Sequence, residues 1–249
     1  MSSSSYISLK KISLNFPLIN NNKNSLKKFL LSKFIKNNKK NLEEDLRYYS
    51  ALKDISLNIE NGDRVGLIGG NGAGKTSLLR LMNQIYYPSS GFFDIKGDTV
   101  SLIDLYSGID FEASGYENLI LKGLLIGHSM SEIKRLSTEI IKKSELENFI
   151  HNPIRSFSTG MIMKLLFYIL LSKRANIVLM DEWLSVGDEN FKKKAQFELE
   201  NFLNNSDILV IASHSRELIE NYTNKIIWLD KGRLVKYGPT KSIVNDYFQ

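Results

Sequence analysis

The residues best suited to chemistry lie in one short stretch, Gly69 to Thr76, which reads Gly-Gly-Asn-Gly-Ala-Gly-Lys-Thr. This stretch fits Gly-x-x-x-x-Gly-Lys-Ser/Thr, the pattern of a phosphate-binding loop. Such a loop brings backbone N–H groups close to anionic oxygens, and glycine permits the approach because it lacks a Cβ and adopts positive φ. Lys75 is predicted to contact the β- and γ-phosphates, and Thr76 to ligate Mg²⁺. The predicted nucleotide contacts are Gly69, Asn71, Gly72, Ala73, Gly74, Lys75, Thr76 and the following Ser77.

The surroundings of the loop favour this interpretation over a glycine-rich turn that carries Lys-Thr by chance. The apolar run Val65 to Ile68 precedes the loop and predicts a buried strand, and the apolar residues between Leu78 and Met82 predict a helix that begins at about Lys75. A helix that begins there directs the positive end of its dipole at the phosphates. The sequence therefore predicts nucleotide binding.

Two adjacent carboxylates, Asp181 and Glu182, follow the apolar strand Ile177 to Met180. Ligands bind at the carboxyl ends of parallel strands, so these side chains are expected near the phosphate loop. Asp181 is predicted to hold Mg²⁺ through water, and Glu182 to orient and deprotonate an attacking water. A solvated strand end is the alternative, but the nearby phosphate loop favours the catalytic interpretation.

Composition restricts the class of protein further. The chain has 249 residues, enough for one large domain or two small ones, and it contains no cysteine, which excludes disulfides and thiolate metal sites. Its first residues lack the features of a secretion signal, and no apolar run approaches the roughly 20 residues that a membrane helix needs. The net charge of +6 is compatible with nucleic acid, an anionic membrane surface or an acidic partner.

The order of predicted elements indicates an α/β fold. Strands are predicted at Tyr6 to Phe16 with Pro17 ending the first, Ile55 to Ile59, Arg64 to Ile68, Phe92 to Ile95, Thr99 to Ile103, Ile177 to Met180, Ile208 to Ala212, Ile226 to Asp230 and Leu234 to Tyr237. Helical spacing occupies the block from Tyr116 to Leu171. These alternations predict a mostly parallel core sheet covered on both faces, a small antiparallel β subdomain and an inserted α-helical subdomain.

A basic segment interrupts the first predicted hairpin at approximately residues 19–49. Seven lysines and no carboxylate lie between Asn20 and Leu42, and apolar residues recur there at helical spacing, at Leu26, Phe29, Leu30 and Phe34. A basic amphipathic helix of this kind is typical of contact with anionic lipid or a membrane partner. A surface helix packed on its own domain is the alternative.

Further motifs in the same chain order resemble those of the nucleotide-binding subunits of ATP-binding cassette (ABC) transporters. Ser158-Thr159-Gly160-Met161 precedes Asp181, Ser185-Val186-Gly187-Asp188 follows Glu182, and His214 follows the strand Ile208 to Ala212. The resemblance covers about Tyr48 to Pro239 and implies the P-loop NTPase fold of ABC ATPases. It also implies a single domain over residues 1–249, with the helical subdomain at approximately 105–172.

The resemblance implies a homodimer that hydrolyses ATP with Mg²⁺. Ser158 and Gly160 of one subunit are expected to contact the γ-phosphate held by the other, and Asp188 to bridge the dimer. His214 is expected to contact the same phosphate and to hold the attacking water with Glu182. Either Tyr49 or Tyr48 is positioned to stack on adenine.

Within the family, the sequence is similar to subunits that export bacterial O-antigen, capsule or teichoic acids. The shared phrases are Ala51-Leu52-Lys53-Asp54, Glu117-Asn118, Ser158-x-Gly160-Met161 and Asp181-Glu182-Trp183-Leu184-Ser185-Val186-Gly187-Asp188. The similarity implies an integral-membrane permease partner, a lipid-linked glycan cargo and a peripheral location on the cytoplasmic face of the bacterial cell membrane. Some members of this group carry a C-terminal carbohydrate-binding domain, and none is expected here because the sequence ends at Gln249, soon after Pro239. Another cargo and a soluble ABC ATPase acting on nucleic acid are the alternatives, although nucleic acid is not an expected partner.

Two positions depart from the family pattern. Thr159 replaces a smaller residue beside the expected γ-phosphate contact, which predicts slower turnover. Asp104 stands nearest the place of the glutamine that normally links Mg²⁺ to the membrane partner, and its role stays open.

Overall fold

A computed structural model describes residues 4–18, 47–103, 105–182 and 189–248. The predicted amphipathic helix, Asp104 and the segment from Trp183 to Asp188 lie outside these ranges.

The described residues form nine strands and seven α-helices. In chain order these are β1 (Tyr6–Leu18), β2 (Arg47–Glu60), β3 (Arg64–Ile68), α1 (Lys75–Met82), β4 (Ser90–Lys96), β5 (Thr99–Ser101), α2 (Gly115–Leu125), α3 (Met130–Ser144), α4 (Thr159–Leu171), β6 (Ile177–Asp181), α5 (Glu189–Asn204), β7 (Ile208–Ala212), α6 (Arg216–Tyr222), β8 (Lys225–Asp230), β9 (Arg233–Pro239) and α7 (Thr240–Tyr247). A 3-10 turn at Ile154–Ser156 precedes α4.

The larger sheet has six strands in the order β5-β6-β7-β3-β8-β9. Its first five strands run parallel, and β9 is antiparallel to β8. Every residue of β7 is buried, and so are four of the five residues of β3 and of β6, because helices cover both faces of the sheet. The predicted mostly parallel core sheet is confirmed.

The smaller sheet has three antiparallel strands in the order β2-β1-β4. It packs over α1 through Ile7, Leu9 and Ile12, which share one buried cluster with Leu78 and Leu79. This cluster connects the small sheet to the helix that follows the phosphate loop.

Helices α2, α3 and α4 pack together in the inserted helical block. Helices α2 and α3 begin at capping boxes in which Ser114 and Ser129 exchange hydrogen bonds with Glu117 and Glu132, as their sequences favour. Helix α4 is apolar on most of its surface, and most of its residues belong to one buried hydrophobic cluster that also includes residues of α2 and α3. None of the helices in the described ranges is long and apolar enough to cross a bilayer.

The prediction that Pro17 ends the first strand is wrong. Strand β1 continues to Leu18, and Pro17 pairs with Tyr48 of β2. The pairing of β1 with β4 ends at Ser13, so Pro17 lies where β1 has a neighbour on one side only. A missing N–H is tolerated at such an edge.

A matched pair of substitutions tests the position of the core. Ile211 on β7 is 0% exposed and Ile85 is 52% exposed. We expect Ile211→Ala to lower the free energy of unfolding by about 2–5 kcal/mol, because it leaves a cavity in the buried cluster that Ile211 shares with residues of α4. Ile85→Ala should change it by less than about 0.5 kcal/mol. Denaturant unfolding of both variants measures the difference, and similar losses would contradict the described burial.

Candidate functional site

The loop from Gly69 to Thr76 joins the end of β3 to the start of α1, as the sequence predicted. Gly69, Gly72 and Gly74 adopt positive φ angles of 152°, 76° and 106°. A Cβ at Gly69 would lie 2.3 Å from the Leu229 carbonyl oxygen, and one at Gly74 would lie 2.7 Å from that of Ala51. The backbone therefore curves in a way that only glycine allows at these two positions.

Lys75 is buried at the base of this loop. Its Nζ donates to the carbonyl oxygens of Gly69 at 2.9 Å and Gly70 at 3.3 Å, and lies 3.2 Å from Nε2 of His214. An ammonium group cannot accept a hydrogen bond, so Lys75 Nζ donates and Nε2 of His214 accepts. Burial lowers the pKa of Lys75, and the carboxylates of Asp181 and Glu182 act in the opposite direction.

Thr76 and Asp181 are in direct contact. The Thr76 hydroxyl donates to Oδ2 of Asp181 at 2.6 Å, which joins the first turn of α1 to the end of β6. Two neighbouring oxygen ligands, one from each side chain, suit a small, hard cation such as Mg²⁺. The remaining ligands of this cation would be phosphate oxygens and water. Within the described ranges no group of three or more acidic or histidine side chains forms a metal cluster. A cation here therefore needs oxygens from a ligand.

Glu182 is held by β7, the neighbour of β6. Its backbone N–H donates to the carbonyl oxygen of Ala212 at 2.8 Å, and its φ is 65°, in the left-handed region. The hydroxyl of Ser213 lies 3.5 Å from Oε2 of Glu182. The carboxylate is thus placed beside the segment that carries His214.

These residues line one open cleft of about 260 Å³. Its lining consists of Tyr49, Asn71, Gly72, Ala73, Gly74, Lys75, Thr76, Ser77, Asp181, Glu182 and His214. Tyr49 contributes to this lining and Tyr48 does not, since successive residues of β2 face opposite sides of the strand. The structure thus brings together most of the predicted site residues and distinguishes between the two tyrosines.

A larger groove of about 720 Å³ lies between α3, α4 and α5. None of the predicted site residues lines it. Lys143 in this groove pairs with Glu139 and Glu198, each at 3.2 Å. Lys143, Glu139 and Glu198 are thus paired with one another within the protein. We therefore assign nucleotide chemistry to the smaller cleft.

Ser158 and Gly160 lie away from the cleft within one chain. Ser158 is exposed at the N-terminus of α4, where its hydroxyl accepts from the N–H of Met161 at 3.2 Å. A Cβ at Gly160 would have no neighbour closer than 3.9 Å. Both residues are accessible to a second molecule, as the predicted dimer requires, while Asp188 lies outside the described residues.

Ser213 is a residue beside the site that the sequence patterns did not predict. This residue is 1% exposed and follows the buried strand β7 directly. A polar residue between an apolar strand and His214 is the signal that points to it, because strand ends at this edge of the sheet carry the other site residues.

Comparisons with known proteins agree with this geometry. The sequence profile of the family described as ABC transporter matches residues 52–185. The O-antigen export system ATP-binding protein RfbE of Yersinia enterocolitica is 38% identical over 223 residues, which cover 90% of this chain and 93% of that protein.

Other relatives are longer than this chain. The O-antigen export system ATP-binding protein RfbB of Myxococcus xanthus is 35% identical, and the match covers 84% of this chain and 48% of that protein. The teichoic acids export ATP-binding protein TagH of Bacillus anthracis is also 35% identical, with 82% of this chain and 37% of that protein covered. The chain therefore spans less than half the length of these two relatives.

A solved structure shares the fold. It is a dimeric ATP-binding cassette in a post-hydrolysis state, bound to ADP and Pi, with a TM-score of 0.67 and 18% sequence identity. The match covers 94% of this chain and 98% of that one.

Two glycines of the loop provide a matched test of its backbone. Gly74→Ala should lower the free energy of unfolding by about 1–3 kcal/mol, because its φ is 106° and its Cβ would clash with Ala51. Gly70→Ala should change it by less than about 0.5 kcal/mol, because its Cβ meets nothing within 4 Å. Denaturant unfolding without nucleotide measures both, and equal effects would contradict the loop geometry.

Proposed function

We propose a function that proceeds from one premise: this chain belongs to the ABC transporter family. It is the ATP-binding and ATP-hydrolysing subunit of an exporter that moves lipid-linked polysaccharide across the cytoplasmic membrane. The observation that carries the ATPase assignment is the Thr76–Asp181 contact beside Lys75, at one edge of the sheet. This edge combines a cation for phosphates, oxygens for a metal and a carboxylate for water.

The residues at the base of the cleft divide the tasks of phosphate binding and hydrolysis. The loop N–H groups and Lys75 bind the phosphates, while Thr76 and Asp181 would hold Mg²⁺. When bound, Mg²⁺ would supply positive charge beside the phosphates. Glu182 accepts the proton of the attacking water, and His214 binds the γ-phosphate.

Two further contacts complete the nucleotide site. Tyr49 stacks on adenine, because its ring is half exposed at the mouth of the cleft. Ser158 and Gly160 come from a second copy and direct the N-terminus of α4 at the γ-phosphate. The role proposed for Asp188, which lies outside the described residues, is to bridge the two copies. The protein is therefore active as a homodimer with two ATP molecules between its subunits.

The assignment of cargo is supported by the relatives named for O-antigen and teichoic acid export. An ATP-binding subunit of this kind works with an integral-membrane permease, through which the lipid-linked glycan passes. The basic segment between Asn20 and Leu42, which carries seven lysines, contacts the anionic membrane surface or the permease. The protein is thus peripheral on the cytoplasmic face of the membrane, and nucleic acid is not its partner.

Glu182→Gln tests the catalytic assignment. We expect the rate of ATP hydrolysis to fall by at least about 100-fold, because an amide cannot accept the proton of water. Binding of MgATP should persist, whereas Lys75→Ala should weaken it. Steady-state hydrolysis and equilibrium binding measure the two effects. Glu147→Gln, at an exposed position outside the cleft, is the matched control. Undiminished hydrolysis by Glu182→Gln would show that another group is the base.

Deletion of residues 21–45 tests the role of the basic segment. The purified variant should bind MgATP normally, because the cleft is built from other residues. Export of polysaccharide in cells should be lost, since the contact with membrane or permease is removed. Replacing only Leu26, Phe29, Leu30 and Phe34 by serine should have the same effect. Normal export by either variant would reject this role.

A further inference from the structure

Ser213 is a buried polar residue that directly precedes His214 of the site. It is 1% exposed, directly follows β7, and its backbone N–H lies 3.4 Å from the carbonyl oxygen of Leu67 at the end of β3. Because β7 lies between β6 and β3, this residue stands between the strand that carries Glu182 and the strand that leads into the phosphate loop.

The contacts of Ser213 orient its hydroxyl group toward Glu182. Its Oγ accepts from the backbone N–H of Ser215 at 3.1 Å and lies 3.5 Å from Oε2 of Glu182. A hydroxyl has one proton to donate, and an ionised carboxylate only accepts. The Ser213 proton is therefore directed at Glu182, while a lone pair of Oγ is occupied by Ser215.

Glu182 needs such a partner because its side chain is long and exposed. Its backbone is fixed by the bond to Ala212 at 2.8 Å, but several rotamers would leave the carboxylate pointing away from the cleft. A bond to one oxygen, Oε2, selects among these rotamers and leaves Oε1 able to accept a proton. The neighbouring residue His214 extends from the same segment into the cleft.

We infer that Ser213 is a positioning residue, whose hydroxyl holds the Glu182 carboxylate in the orientation that faces the attacking water. This inference rests on the role of Glu182 in the proposed function. Ser213 does not line the cleft, so it acts through Glu182 and not on the nucleotide. Its backbone also fixes the position of His214, so one short segment aligns both groups.

The test is steady-state ATP hydrolysis by the full chain with MgATP. Ser213→Ala should lower kcat about 5-fold, the change in rate that corresponds to about 1 kcal/mol for one hydrogen bond. KM and the Kd for MgATP should stay within about 2-fold, because no nucleotide contact is removed. Ser213→Thr retains the hydroxyl and should recover most of kcat.

Ser215→Ala is the control for a purely structural effect. It removes the hydroxyl that accepts from the Leu218 N–H at 3.3 Å and caps α6, but it keeps the backbone N–H that donates to Ser213. This variant should lose stability in thermal unfolding and keep the wild-type kcat. In a Glu182→Gln background, Ser213→Ala should cause no further loss of the residual rate, because its target carboxylate is absent.

Three results would overturn the inference. They are a wild-type kcat for Ser213→Ala, an equal loss of kcat in Ser215→Ala, and a further 5-fold loss when Ser213→Ala is added to Glu182→Gln. Hydrolysis at the wild-type rate by Glu182→Gln alone is a different result, since it rejects the proposed base itself. If the inference about Ser213 is wrong, Glu182→Gln should still hydrolyse ATP at only a low residual rate. The two failures are therefore distinguishable.

Discussion

The site depends on the parallel pairing of β6, β7 and β3. Neighbouring strands of a sheet lie about 4.8 Å apart, and parallel strands end at the same edge. The phosphate loop after β3, the two carboxylates at the end of β6 and the Ser213–His214 segment after β7 therefore meet at one edge of the sheet. The sheet is buried on both faces, so helices on each side fix this edge. An altered register would separate Thr76 from Asp181, which are 2.6 Å apart.

Electrostatics within the cleft favour an anionic ligand with a metal ion. Lys75 is a buried cation, and its contacts to Gly69, Gly70 and His214 lie where phosphate oxygens would bind. In the proposed function, phosphate oxygens would offer Lys75 charged acceptors, and charge-assisted hydrogen bonds are stronger. The carboxylates of Asp181 and Glu182 would repel the same phosphates, and a divalent cation beside Thr76 would reduce that repulsion. Glycine at positions 69 and 74 lets the loop pack against the backbone of Leu229 and Ala51, because a Cβ at either position would clash with their carbonyl oxygens.

Local sequence patterns predicted most of the cleft. The loop, Asp181 and Glu182 were recognisable because each follows an apolar strand directly, and parallel strands place such residues at one edge. The choice between Tyr48 and Tyr49 depended on the pairing of β1 with β2, in which Tyr49 lies opposite Phe16. The error at Pro17 has the same origin, since an edge position is set by a strand distant in sequence. Ser213 was missed because its partner Glu182 is 31 residues away. The place of Ser158 relative to a nucleotide depends on a second molecule, which the folding of one chain does not specify.

The central claim is that two copies of this chain close on shared ATP. Sedimentation equilibrium of the wild-type full chain, with Mg²⁺ and an ATP analogue that resists hydrolysis, tests it most directly. Without nucleotide the account predicts a species near the monomer mass of 28.4 kDa, and with the analogue a species of twice that mass. The Ser158→Arg variant should not form the larger species under the same conditions, because a bulky cation at the exposed start of α4 would block the interface. A mass of 28.4 kDa at saturating analogue would contradict the account.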